Sequence, residues 1–102
     1  MSSPQFANPE IETEKPQLKK PPVFRVIMLN DDFTPMDFVV MLLQRFFHKS
    51  EEQAIEIMLD IHHKGQGICG IYTRDIAETK MTQVHQASEQ HEHPLRCIYE
   101  QV

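Results

Sequence analysis

Five of the seven prolines fall within the first 22 residues, at Pro4, Pro9, Pro16, Pro21 and Pro22. That clustering decides where a fold can begin, because proline removes a backbone donor and blocks regular helix. The same stretch holds a single aromatic, Phe6, and its charges cancel, with Glu10, Glu12 and Glu14 set against Lys15, Lys19 and Lys20. It has too few apolar groups to offset the entropy of ordering, so residues 1–22 are expected to form a flexible extension. The folded domain is then residues 23–102. A core of that size is only marginally self-sufficient, so most of its apolar residues must be committed to packing.

The net charge of −5 therefore resides in the domain. A nucleic-acid binder needs a basic stripe for phosphate contacts, and none is present; the ligand is expected to be a protein, a small molecule or a cation. The longest apolar run, Phe38–Leu43, falls far short of the roughly 20 residues that span a bilayer. The first residues carry no apolar run of the kind a secretion signal needs. Cys69 and Cys97 form neither a disulfide framework nor a CxxC pair, and are expected to be reduced, buried thiols in a cytoplasmic protein.

Val23–Leu29 is a β-branched and aromatic run closed by the polar turn Asn30-Asp31-Asp32, which predicts a strand. Thr34 is placed as N-cap and Pro35 at the first helical position of a helix over Pro35–Phe47. Ser50 and Gln53 form a capping box for a second helix that ends near Lys64, with Gly65 as its stop. Gly67–Tyr72 reads as a second strand, and a third helix starts near Asp75 with Ala77, Met81, Val84 and Ser88 on one face. Leu95–Glu100 alternates as a half-buried third strand. The order β-α-α-β-α-β predicts an α+β two-layer sandwich, a three-stranded antiparallel sheet with three helices on one face.

Asn30-Asp31-Asp32 sets adjacent acceptors at a strand end, able to hold a metal or ammonium ion, or simply to form a solvated turn with Asp32 helping to cap the helix. His62 shares a helix patch with Met58 and Ile61, which fits a partly buried histidine as well as a ligand-binding one. His62, His63, His91, His93 and Cys97 match no zinc spacing, so no metal or other cofactor is expected. Both cysteines lie among apolar neighbours, which favours inert thiols over a nucleophile. Three function classes remain: a binder, a small acid–base enzyme using Asp31, Asp32 and His62, and a protein–protein module without a pocket.

The stretches VIMLNDDFTPMDFVVMLLQRFF, MLDIHHKGQGICGIYTRDIAETK and EHPLRC closely resemble the bacterial Clp protease adaptor family, ClpS, over about residues 21–102. The resemblance implies a monomeric, non-enzymatic adaptor. Such a protein captures substrates with Leu, Phe, Tyr or Trp at the amino terminus and delivers them to the ClpA unfoldase of the ClpAP protease. It implies that Asn30, Asp32 and His62 hold the substrate α-amino group with support from Asp31. Thr34, Met36, Val39, Met58, Ile61 and Leu95 would line the side-chain pocket. Asp75, Glu78 and Lys80 would lie at the surface that meets the ClpA N-terminal domain. The chemistry suits those residues: an ammonium has only donors, and an amide carbonyl, a carboxylate and a neutral imidazole are acceptors.

Overall fold

The computed structural model describes residues 20–102; most of the expected flexible extension, residues 1–19, lies outside them. Lys20, Pro21 and Pro22 are exposed and carry no regular structure. The elements run β1 (Val23–Leu29), α1 (Met36–Phe47), α2 (Glu51–Lys64), β2 (Gln66–Thr73), α3 (Arg74–Gln90) and β3 (Arg96–Gln101). The sheet is antiparallel throughout, in the order β2-β1-β3. This is the expected α+β sandwich, with β1 at its centre.

β1 sends Phe24, Val26 and Met28 toward the helices, where they are buried with Leu42 and Leu43 of α1, Ala54 and Ile61 of α2, and Ala77 and Val84 of α3. Full burial of each larger side chain contributes about 1.5–3 kcal/mol. Val26 faces Gly70 while Ile27 faces Ile68, so Cys69 is the extra residue of a β-bulge. The bulge lets Gly67, Cys69 and Tyr72 all turn toward the helices. At Gly67 a Cβ would lie 2.8 Å from Ile61 Cγ1 and 3.2 Å from the Ile57 carbonyl. Glycine at that point is what lets α2 press directly onto β2.

Two helix ends follow the expected chemistry and one does not. Ser50 Oγ accepts from Gln53 N–H, Gln53 returns the bond to Ser50 N–H, and Gly65 closes α2 at φ 90°. At α1, however, Pro35 is the cap residue, with ψ 144°, and the helix proper starts at Met36. Thr34 does not cap, because its hydroxyl donates to Asp31 Oδ2 at 2.8 Å instead. α3 begins at Arg74 and β3 at Arg96, each one residue from the expected start.

His85 of α3 accepts a hydrogen bond from Cys97 N–H through Nε2 at 3.0 Å, fastening α3 to β3. Only the neutral ring can accept it. Burial, reinforced by Arg96 and opposed by Glu89, holds His85 below its ordinary value. The unfolded chain therefore takes up its proton first as pH falls, and stability is lost from about pH 6.5 downward through the lower folded value. Urea unfolding should show stability declining as the pH is lowered from 7 to 5. His85→Gln, whose carbonyl can still accept, should flatten that decline; an unchanged slope in the variant would remove His85 as its cause.

Candidate functional site

Asn30 N–H donates to the Gly65 carbonyl at 2.9 Å. This single bond joins the end of β1 to the C-terminal cap of α2, and so brings the Asn30-Asp31-Asp32 turn beside His62, one helical turn before the cap. Thr34 and Met36 then reach the same place from the start of α1.

The result is a cavity of about 200 Å³. Its polar side is Asn30, Asp31, Asp32 and His62, and its remaining wall is Thr34, Met36, Val39, Met58 and Ile61. Val39 and Ile61 are buried at its floor, Thr34 and Met58 are half-buried, and Met36 stands 46% exposed at its mouth. Asn30, Asp32 and His62 are exposed at the rim. Small-molecule sites usually enclose about 300–1,000 Å³; this one has room for a single side chain under a ring of acceptors.

Asp31 builds the turn. Its Oδ1 accepts from Phe33 N–H at 2.8 Å and Thr34 N–H at 2.7 Å, while Oδ2 accepts from Thr34 Oγ1. Burial works against its ionised form. The Thr34 and Phe33 N–H groups, the Thr34 hydroxyl and nearby His93 outweigh burial, and hold the carboxyl below its usual range. The residue expected to help cap the helix was Asp32, and the one that organises its start is Asp31. A carboxylate so occupied is poorly placed as general acid or base at neutral pH, which counts against the acid–base enzyme class.

Leu95 is not on this cavity. It is 2% exposed and lines a separate, more open depression of about 450 Å³ with His85, Ser88, Glu89 and Arg96. It precedes β3 and is buried with Cys97; because Leu29 pairs with Arg96, it follows on beside Asn30 at the end of β1. Asp75, Glu78 and Lys80 all lie in the first two turns of α3, but two of them have internal partners. Glu78 Oε2 accepts from the Tyr99 hydroxyl at 2.9 Å. Lys80 Nζ donates to the Phe46 carbonyl at 2.6 Å, near the end of α1, and lies over the Tyr72 ring. Asp75 remains exposed.

Cys69 and Cys97 are buried free thiols that burial pushes up to about 12, so neither is a thiolate at neutral pH. Among the described residues, no cluster of three or more His, Cys, Asp or Glu could hold a metal ion, and no helix is long and apolar enough to cross a membrane. Two residues near the cavity were given no part in it by the sequence. His93 lies close enough to Asp31 to favour its charge. Phe33, between two cavity-lining residues, is 79% exposed; an aromatic inside an otherwise polar turn was its sequence signal.

Residues 19–98 match the family model described as ATP-dependent Clp protease adaptor protein ClpS. An ATP-dependent Clp protease adapter protein ClpS from Shewanella piezotolerans is 59% identical over 90 residues, which is 88% of each chain. The protein of that name from Alkalilimnicola ehrlichii is 56% identical over 89 residues, 87% of this chain and 84% of the other. The structure of Agrobacterium tumefaciens ClpS2 bound to L-phenylalaninamide superposes with a TM-score of 0.79 at 32% identity, covering 81% of this chain and all of that one.

Proposed function

The chain belongs to the ClpS family of Clp protease adaptors, and from that premise we propose that it binds the free amino terminus of substrates beginning with Leu, Phe, Tyr or Trp and hands them to the ClpA unfoldase of ClpAP in the cytoplasm. The observation that carries this reading is the ring of acceptors, Asn30, Asp32 and His62, set over a one-side-chain apolar hole. The solved relative was bound to L-phenylalaninamide, an amino acid amide with a free α-amine and an aromatic side chain.

In this reading the ammonium is held by the Asn30 carbonyl, the Asp32 carboxylate and a neutral His62 nitrogen, while Asp31 keeps the turn in shape. The first side chain enters between Met36, Val39, Met58 and Ile61. Met36 crowds the mouth against a second Cγ, which favours Leu, Phe, Tyr and Trp over Val and Ile. The ClpA N-terminal domain docks at the start of α3, where Asp75 supplies an exposed carboxylate and Glu78 and Lys80 also brace that surface from within. Residues 1–22 serve the handover and are not needed for peptide capture. No bond is made or broken, so substrate leaves the site unchanged.

Fluorescence-anisotropy titration with peptides differing only at residue one tests this. The Leu, Phe, Tyr and Trp peptides should bind and be recovered intact, with Val and Ile much weaker. His62→Ala removes one bond to a charged group, about 1.5–3 kcal/mol, so the Leu peptide should weaken roughly ten- to a hundredfold. Consumption of the peptide would point to an enzyme. Indifference to its first residue would point to a docking module without a pocket.

A further inference from the structure

We propose that Phe33 reads the second residue of the bound chain, favouring aromatic and large apolar side chains there. The proposal rests on the amino-terminus reading above and adds a specificity determinant to it.

Phe33 contributes nothing to the core, being 79% exposed. Its backbone is nevertheless fixed on both sides: its own N–H and that of Thr34 are held by one carboxylate oxygen of Asp31, at 2.8 Å and 2.7 Å. A large aromatic carried by so constrained a turn is preorganised for a contact outside the molecule. The place of that contact follows from chain geometry. Asp32 and Thr34, the immediate neighbours of Phe33, both line the cavity, and consecutive Cα atoms are about 3.8 Å apart. The Phe33 backbone therefore stands at the cavity mouth, with its ring turned out to solvent and not into the lining. A substrate that enters amino terminus first fills the hole with its first side chain and leaves its second Cα about 3.8 Å further out, at that same mouth. Of the residues there, Asn30, Asp32 and His62 are occupied with the amine and Met36 with the first side chain. Phe33 is the largest and most exposed apolar side chain next to these lining residues, and it is left for the second.

The test uses peptides with Leu at residue one and Phe, Leu, Ala or Ser at residue two, otherwise identical, against wild type, Phe33→Tyr and Phe33→Ala. Wild type should bind the Leu-Phe peptide roughly two- to tenfold more tightly than Leu-Ser, the range for one aromatic contact. Phe33→Tyr should keep that ratio and Phe33→Ala bring it close to one. Discrimination of Leu from Val at residue one should survive in Phe33→Ala, whereas a distorted turn would erode both preferences together. A ratio retained in Phe33→Ala, or absent in wild type while acetylated peptide is still rejected, overturns the role of Phe33 alone. Failure of every free-amine peptide to bind wild type overturns the amino-terminus reading along with it.

Discussion

Acetylating the amino terminus of a Leu-initiated peptide is expected to abolish detectable binding. Acetylation removes the positive charge and two of the amine's donors, and adds a methyl and a carbonyl where Asn30, Asp32 and His62 present acceptors. Each bond to a charged group is worth about 1.5–3 kcal/mol, and the acceptors left facing one another carry a desolvation cost as well. The side chain alone recovers about 1.5–3 kcal/mol from the apolar hole. The balance is a loss of several kcal/mol, or more than a thousandfold. The measurement is an anisotropy competition of acetyl-Leu against Leu peptide at neutral pH. Equal competition by the two would mean that the acceptor ring does not read an amine, whatever the apolar hole prefers. The sensitivity is larger than for any single rim substitution, because one change on the ligand removes the partner of three side chains at once.

Most of the architecture was open to sequence reasoning because its signals are local. The capping box of Ser50 and Gln53, the stop at Gly65 and the β-branched run of β1 each involve residues a few positions apart. What was not legible depends on contacts distant in the chain. The order β2-β1-β3 comes from pairing between residues 37 to 77 apart, for which local pattern carries no signal. The family resemblance implies a pocket role for Leu95, and local pattern says nothing of which depression its side chain meets, since that depends on how the segment before β3 packs. Asp31 and Asp32 are chemically identical neighbours, and only the turn's dihedral angles decide which carboxylate folds back onto Phe33 and Thr34. The same fold-back explains why Thr34 does not cap α1: its hydroxyl is already spent on Asp31. Glu78 and Lys80, which the resemblance places at a docking surface, also make bonds to Tyr99 and the Phe46 carbonyl that no local pattern announces.

The position of Asp31 makes it the residue whose loss should cost the protein most at this site. Asp31→Ala removes three hydrogen bonds to an ionised carboxylate at once. Part of that is returned by water, because Phe33 is exposed, but Thr34 is half-buried and its amide would be left poorly satisfied. A stability loss of about 2–3 kcal/mol follows, less than three independent bonds would give, since one turn holds them all. Binding should suffer more, by at least a hundredfold, because Asn30, Asp32 and Thr34 all take their places from this turn and a loosened rim forfeits its preorganisation. Asp31→Asn separates the two roles. Its amide oxygen can still accept from both N–H groups and its NH2 can donate to the Thr34 hydroxyl, so the turn should persist and most affinity with it. The carboxyl lies below its ordinary value, so its contribution is complete above about pH 3.9 and is lost only as pH falls through the lower folded value. Measurements at neutral pH thus compare fully charged wild type with each variant. Urea unfolding and Leu-peptide titration of both variants decide the matter: an Asp31→Ala protein that binds like wild type would show that the rim stands without its carboxylate.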